Sequence, residues 1–168
     1  MTMYYGLATR DQALQTAIAV NNAISPSSGQ KGVVIQLETA CAETLLGTLK
    51  DRTDYAAGTG FTQVDYRTFK WLKKKYKDRS VATRIREQLD VDIAKVEYRE
   101  LEHSPLLASI WCRLRYLAVS DPIPDTLEER APYWKKWYNS SAGKGTVEGY
   151  ISKCAQCDVQ SLLDTYYK

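Results

Sequence analysis

Two short blocks organise this sequence: Ala42-Glu43-Thr44-Leu45-Leu46-Gly47 and, further on, Gly60-Phe61-Thr62-Gln63-Val64-Asp65. The first block closes a stretch in which apolar residues recur at the helical period, which predicts a helix from about Gly29 to Leu46. Gly47 is suited to cap the end of that helix. Polar residues and glycines between the blocks predict a loop over 50–60. Glu43 is therefore expected in the last turn of an apolar helix.

Helical periodicity also governs the rest of the chain. Thr9 has the spacing of an N-cap for a helix to about Ile24, and Ser104-Pro105 is typical of a helix start. Further helical stretches begin near Asp65, Ser80, Asp125 and Thr146. The stretch from Ser80 is expected to continue towards Leu101, and the one from Thr146 to reach Tyr166. The stretch from Asp125 is expected to reach Tyr138, with a kink at Pro132. Strand-like alternation is nearly absent. We therefore predict an all-α fold of six to eight helices, with one domain spanning residues 1–168.

Composition narrows the possible functions. The chain has 168 residues, of which 44% are hydrophobic and 26% charged, and a net charge of +3, as is ordinary for a soluble globular protein. No apolar run is long enough for a membrane span, and 1–10 has no signal-peptide pattern, so no membrane partner is expected. The basic stretch from Lys73 to Arg86 suits either a solvated helix face or a polyanion such as anionic cell wall. Because the aromatic residues, such as Phe69, Trp71 and Tyr76, fall in apolar patterns, nucleic-acid binding is not expected.

Several kinds of site have no support in the sequence. Cys154 and Cys157 have CxxC spacing but no second pair of ligands, so no metal is expected. Cys41 and Cys112 lie in apolar helical patterns and are predicted to be buried free thiols. The single histidine, His103, has no nucleophile arrangement around it, and no glycine-rich phosphate loop occurs. We expect no cofactor.

Carboxylates remain as the candidate chemistry. Cleavage of a glycosidic bond needs one acid whose pKa is raised, so that it is protonated when it meets the leaving oxygen. Apolar surroundings and the negative end of the helix dipole would both act on Glu43 in that direction. The same residues are also compatible with an ordinary solvent-exposed glutamate in a last helical turn, and by themselves they favour that interpretation.

A family resemblance shifts this balance. The block at 42–47 resembles the Glu-Ser-x-x-Gly of goose-type lysozymes and lytic transglycosylases, and the block at 60–65 resembles their Gly-Leu-Met-Gln-Val-Asp turn. The segment Trp137-Tyr138-Asn139-Ser140-Ser141-Ala142-Gly143 is similar to their Ala-Tyr-Asn-Ala-Gly. The three blocks occur in the family's order and cover about 36–150. The nearest likeness is to small bacteriophage proteins of this type, in which a segment resembles 131–146.

The resemblance implies a lysozyme-like domain and a role for each matching residue. Glu43 would be the general acid and then the base, with Asp54 or Asp65 positioning a water in a hydrolase. Without such a water, the 6-hydroxyl of the sugar would close on the anomeric carbon. Substrate contacts are implied for five residues, Thr44, Gly60, Gln63, Tyr138 and Asn139, and for the backbone of 60–63. Tyr138 would also hydrogen-bond to Glu43 or orient it.

The sequence departs from the family at three places. Thr44 replaces Ser, Thr62 replaces Met or Phe and so thins the apolar wall near the acid, and Ser140-Ser141 interrupt the third block. The leading hypothesis is a phage-type enzyme that cleaves the MurNAc-GlcNAc β-1,4 bond of peptidoglycan glycan strands. It would act as an endolysin, passing from the host cytoplasm to the cell wall, or be carried in the virion with other virion proteins. The alternative is a structural virion or tail protein that has lost catalysis, which the change at Thr62 favours.

Overall fold

The chain is helical over most of its length, as predicted. The computed structural model describes residues 2–50, 58–139 and 143–167. These residues contain eight α-helices: α1 (Arg10–Ile24), α2 (Gln30–Thr44), α3 (Tyr66–Tyr76), α4 (Ser80–Leu89), α5 (Pro105–Leu117), α6 (Leu127–Trp134), α7 (Val147–Cys157) and α8 (Val159–Tyr166). No helix in this part of the chain is long and apolar enough to cross a membrane. The all-α prediction is confirmed.

Local capping signals place the starts of several helices. The side chain of Thr9 accepts a hydrogen bond from the backbone N–H of Gln12 (3.0 Å), and that of Ser104 accepts one from Leu107 (3.2 Å), as their spacings predict. α2 is different, because Gly29 precedes it and no side chain caps it. Its first turn instead lies against α1, where a Cβ on Gly32 would overlap the side chain of Asn21.

Two helices predicted to be continuous are interrupted for the same reason. Asp90 ends α4 in the left-handed conformation, so the helix does not continue towards Leu101; the short 3₁₀ turns Ile93–Lys95 and Tyr98–His103 follow instead. Asp158 adopts the same conformation and divides the predicted C-terminal helix into α7 and α8. Asp tolerates left-handed φ better than most residues, although less readily than Gly, so it gives a weak stop signal in sequence.

The chain also turns sharply after α2. Leu45, Leu46 and Gly47 all have positive φ, at 47°, 57° and 80°. The helix is therefore capped by Leu45, and the prediction that Gly47 caps it is wrong by two residues. A non-glycine residue in this conformation costs free energy and persists where the surrounding packing holds it. Leu46 is buried, with 2% of its surface exposed, which supplies that packing.

α2 is the most enclosed helix, and it carries a buried ion pair. The Nε and Nη2 atoms of Arg130 donate to the carboxylate of Glu38, at 2.6 and 2.9 Å, and the hydroxyl of Tyr150 donates to the same carboxylate at 2.9 Å. These contacts join α2 to α6 and α7. They fix α6 and α7, which carry Trp134 and Lys153, two side chains that act on Glu43.

The remaining predictions about the core are mixed. The four cysteines, Cys41, Cys112, Cys154 and Cys157, are buried free thiols, as predicted for Cys41 and Cys112. On α3, Phe69, Leu72 and Tyr76 are buried, but Trp71 has 47% of its surface exposed. The assignment of Trp71 to the apolar face is therefore wrong.

Candidate active site

Glu43 lies in the last turn of α2 with its side chain half-buried. Two donors from the C-terminal third of the chain act on its carboxyl, namely the indole N–H of Trp134 and the side-chain amide of Asn139. Two cations, Lys135 and Lys153, act on it at longer range. Among the described residues the buried Trp134 N–H has no acceptor at full hydrogen-bond geometry, so it remains available to the carboxyl.

The pKa of Glu43 is shifted towards neutral pH. Burial raises the pKa of its carboxyl to about 7, and the donors and the two lysines only partly oppose this rise. A carboxyl with this pKa is substantially protonated near neutral pH. It can therefore donate a proton as an acid and accept one as a base. The alternative interpretation of Glu43, an ordinary solvent-exposed glutamate, does not describe this side chain.

The last turn of α2 is held from outside the helix. The ammonium of Lys153, on α7, donates to the backbone carbonyl of Ala42 at 3.1 Å. The last carbonyls of a helix have no partner within it, so this contact satisfies one of them directly beside Glu43. It also places the charge of Lys153 near the carboxyl, where it lowers the pKa.

Thr44 joins the end of α2 to the second sequence block. Its hydroxyl lies 2.7 Å from the carbonyl of Phe61 and 3.2 Å from that of Ala40, and it accepts a hydrogen bond from the N–H of Gly47 (2.9 Å). Only 1% of the residue is exposed. In this structure, the predicted substrate contact of Thr44 is replaced by an internal one. The hydroxyl that Thr shares with the family's Ser positions the turn at 60–64.

That turn is a tight reversal closed by its own backbone. Thr59 and Val64 exchange two backbone hydrogen bonds, at 3.0 and 3.1 Å, and the carboxylate of Glu102 accepts from the N–H of Gly60 at 3.0 Å. Gly60 has a φ of 77°, and a Cβ there would lie 2.6 Å from the carbonyl oxygen of Leu101. The position requires glycine, and Gly60 shapes the turn.

Gln63 is the residue of this turn with a strained backbone. Its φ is 51°, and its side-chain amide donates to the carbonyl of Gly60 at 2.9 Å. A primary amide has a second N–H and a carbonyl oxygen, so one hydrogen bond leaves capacity for a ligand. Its side chain is half-buried. The predicted substrate contact of Gln63 stays a prediction that this geometry permits.

Tyr138 contacts the turn rather than the acid. Its hydroxyl donates to the carbonyl of Thr62 at 2.6 Å, and its ring stacks on that of Tyr116 with centroids 5.4 Å apart. The expected hydrogen bond from Tyr138 to Glu43 is therefore wrong for this conformation. The charge of Glu43 still contributes to the raised pKa of Tyr138, whose main cause is burial. Tyr138 therefore lies close to Glu43 and supports the 60–64 turn.

Asn139 ends a π-helical turn, Lys135–Asn139, that directly follows α6. The ammonium of Lys135 donates to the side-chain oxygen of Asn139 (2.8 Å) and to the backbone carbonyl of Gly143 (2.9 Å). Because its oxygen is engaged in this way, the amide N–H groups of Asn139 are free to face Glu43. π turns are rare and occur frequently at functional sites.

The side chain of Thr62 points into the protein and does not line the site beside Glu43. The residue is fully buried, and its hydroxyl donates to the backbone carbonyl of Ala108 at 3.0 Å. The threonine therefore fits an internal hydrogen bond to α5. The observation that favoured a non-catalytic protein has this structural explanation.

Of the two candidates for a second carboxylate, the structure describes Asp65. Asp65 is exposed and is the N-cap of α3, where its two oxygens accept from the N–H and the hydroxyl of Thr68, both at 2.8 Å. Asp54 lies outside the described residues. The structure therefore brings Glu43 together with Asn139, Tyr138 and the 60–64 turn, and it gives Asp65 a role in capping a helix.

Sequence reasoning missed three residues around Glu43. Trp134 and Lys135 fall within the segment 131–146 that carried the resemblance, but neither matched a family motif with a role. Lys153 had no local signal, because its relevance depends on how α7 packs against α2. In the described part of the chain, no group of His, Cys, Asp and Glu side chains could hold a metal ion.

Comparison with protein-family models finds no match, and searches of curated proteins and of solved structures find no significant match.

Proposed function

We propose that this protein is a peptidoglycan-cleaving glycosidase of bacteriophage type that cuts the MurNAc-GlcNAc β-1,4 bond with Glu43 as general acid and base. One observation carries the proposal: the three sequence blocks that resemble lytic transglycosylases and goose-type lysozymes meet around one carboxyl. Thr44 bonds to Phe61, Tyr138 bonds to Thr62, and Asn139 acts on Glu43 itself.

The chemistry follows from the state of Glu43. Its protonated carboxyl gives a proton to the glycosidic oxygen as the bond to the anomeric carbon breaks, and Glu43 becomes a carboxylate. That carboxylate then takes a proton from the attacking oxygen. If the attacker is water, the product has a reducing end; if it is the sugar's 6-hydroxyl, the product is a 1,6-anhydro sugar. In both cases Glu43 regains its proton and the cycle closes.

The surrounding residues supply the rest of the site. Lys135 and Lys153 stabilise the carboxylate formed after proton donation, because they place positive charge near it. Gln63 and Asn139 offer side-chain amides that can hold the acetamido groups of the substrate. Since Asp65 caps α3, it is poorly suited to position a water. This favours attack by the sugar's own hydroxyl, within the residues described.

The test is the release of fragments from purified peptidoglycan, identified by mass. The wild-type protein should release disaccharide-containing fragments, and Glu43→Gln should release at least about a hundredfold less, since general acid catalysis contributes about that much or more. Glu87→Gln, an exposed glutamate on α4, is the matched control and should retain activity. A 1,6-anhydro end identifies a transglycosylase, and a reducing end a hydrolase.

Two results would contradict the proposal. One is no release by the wild-type protein from a wall that a known muramidase digests, which would favour the structural virion protein. The other is undiminished release by Glu43→Gln, which would remove Glu43 from the mechanism.

A further inference from the structure

An open groove lies between α3 and the two 3₁₀ turns that follow α4. It encloses about 1040 Å³, and its walls are formed by aromatic rings, small apolar residues and the stems of basic side chains. Its lining includes Tyr66, Lys70, Lys74, Lys77, Val96 and Tyr98. The proposed catalytic chemistry uses none of these residues.

The groove carries a concentrated positive charge. Three lysines of α3 and Lys77, its C-cap residue, line it, and three of these four, Lys70, Lys74 and Lys77, are exposed. Among the described residues that line the groove, Glu97 alone is acidic, and it pairs with Arg99 at 3.3 Å. Residues 70 and 77 are seven apart on one helix, so the lysines form a row about 10 Å long. A single carboxylate would leave most of this row unpaired, whereas a polymer with repeated negative charge would pair with all of it.

The exposed aromatic rings beside these lysines are already covered by cations. Tyr66 is 54% exposed, with the ammonium of Lys70 lying 4.8 Å from its ring centroid and Tyr98 packed edge-on against it. Trp71 has Lys75 and Arg115 at 5.8 and 5.5 Å. The expectation that aromatic residues lie away from the basic ones is thus wrong for α3. Single-stranded nucleic acids bind through bases stacked on open ring faces, and a cation already lies over each of these rings.

We propose that this groove binds a wall-attached, phosphodiester-linked polyol polymer. The inference rests on the proposed function, since it takes the bacterial wall as the protein's target. Lysine ammonium groups bind phosphates as point charges, and the apolar floor suits the carbon backbone of a polyol. The polymer lacks aromatic bases, so it needs no open ring face.

The groove is mechanically joined to the candidate active site. The hydroxyl of Tyr98 donates to the backbone carbonyl of Val64 at 2.7 Å, and Val64 closes the turn that contains Gln63. The next residue, Asp65, caps α3, which carries the lysines. A polymer held in the groove would therefore keep the enzyme on the wall with the 60–64 turn beside it.

The experiment measures binding apart from cleavage. All proteins carry Glu43→Gln, so the wall stays intact during the measurement. The groove variant adds Lys70→Gln, Lys74→Gln and Lys77→Gln. The matched control adds Lys50→Gln, Lys75→Gln and Arg86→Gln, three exposed positions outside the groove with the same change in net charge. Circular dichroism checks that each variant is folded. The ligands are walls bearing poly(glycerol phosphate), the same walls chemically stripped of it, and single-stranded DNA with a matched number of phosphates.

We expect the groove variant to lose about tenfold in affinity for polymer-bearing walls, since three exposed charge pairs contribute about that much together. The control variant should lose less than about twofold, because its charges act only at long range. The protein with Glu43→Gln alone should bind stripped walls about as weakly as the groove variant binds polymer-bearing ones.

Three results would overturn the proposal: equal losses in both variants, equal binding to stripped and intact walls, or tighter binding of DNA than of polymer through the same lysines. Failure of the proposed function shows separately, as an absence of fragment release by the protein with Glu43 intact. The binding measurements test whether the groove binds the polymer, whether or not the protein cleaves peptidoglycan.

Discussion

At the scale of single residues, Glu43 is set apart by its burial and by side chains distant in sequence. Trp134 offers its N–H to the carboxyl, while Lys153 approaches from α7. The helix dipole, on which the sequence argument relied, acts in the same direction as burial. Together they leave a carboxyl that changes charge within the neutral pH range.

This shift makes the stability of the fold depend on pH. The pKa of Glu43 is about 7 in the folded protein and near 4.5 in the unfolded chain. Below pH 4.5 the residue is protonated in both states and costs nothing. Between these values the folded state holds the extra proton, so stability falls as pH rises, by about 3 kcal/mol in all for a shift of this size. Above pH 7 the full cost remains.

We therefore predict that Glu43→Gln becomes more stable relative to wild type as pH rises from 4 to 8, by about 2–3 kcal/mol. Urea unfolding of both proteins at several pH values measures this difference. Glu87→Gln, on the surface of α4, should show no such trend. A flat difference for Glu43→Gln would mean that the carboxyl is not shifted.

Lys153 should tune the acid. Lys153→Met removes a positive charge that lowers the pKa of Glu43, so that pKa should rise further. If Glu43 acts as the acid, the alkaline limb of the pH-rate profile should move to higher pH, by about half a unit to one unit for the loss of a nearby charge. Lys153→Arg keeps the charge and should leave the limb in place. If the alkaline limb does not move in Lys153→Met, Lys153 does not affect the pKa of the acid.

At the scale of elements, the structure assigns Asp65 to the start of α3. Both of its oxygens are used by Thr68, so a capping role accounts for the residue. We predict that Asp65→Ala lowers the free energy of unfolding by about 1 kcal/mol, the usual value of an N-cap.

Asp65→Ser supplies another capping oxygen without a carboxylate, which makes it the informative control. It should keep both stability and fragment release from peptidoglycan. If Asp65→Ser is stable but inactive, the carboxylate itself takes part in the reaction, and the hydrolase mechanism gains support.

Sequence reasoning succeeded where the determining interactions are local. Thr9 and Ser104 cap helices through residues three positions away, so their spacing alone predicts the helix starts. It failed at Asp90 and Asp158, because an aspartate enters the left-handed conformation only when tertiary packing favours it. The apolar pattern could not place Trp71 either, since its ring lies on the surface beside charged side chains.

The candidate site divides in the same way. Glu43, Gln63 and Asn139 were found through short motifs, each of which is local. The contacts that define their roles cross long stretches of chain, as between Tyr138 and Thr62 or between Lys153 and Ala42. Those pairings depend on how the helices pack. For this reason the residue predicted to orient Glu43, Tyr138, supports the turn instead.

At the scale of the whole molecule, the pair Glu38–Arg130 ties the N-terminal and C-terminal halves together. Both charges are largely buried, with side-chain exposures of 5% and 10%. Removing one partner leaves the other uncompensated in the interior. We predict that Arg130→Met destabilises the protein by about 3–5 kcal/mol in urea unfolding.

The exposed pair Lys31–Asp125 is the matched comparison, with side-chain exposures of 49% and 76%. Lys31→Met should change stability by less than about 1 kcal/mol. The double variant Glu38→Gln with Arg130→Met should recover part of the loss, because it removes the unpaired charge. Equal effects of Arg130→Met and Lys31→Met would show that the buried pair is dispensable.

The position of Trp134 against Glu43 also gives the protein an optical signal of its own proton. An indole changes its emission when the charge beside it changes, so a fluorescence titration between pH 5 and 9 should show a transition centred near 7. The chain has four tryptophans, and the difference between wild type and Trp134→Phe isolates this one. Glu43→Gln should abolish the transition. The protonation state of Glu43 could then be followed by fluorescence in the same sample in which fragment release from peptidoglycan is tested.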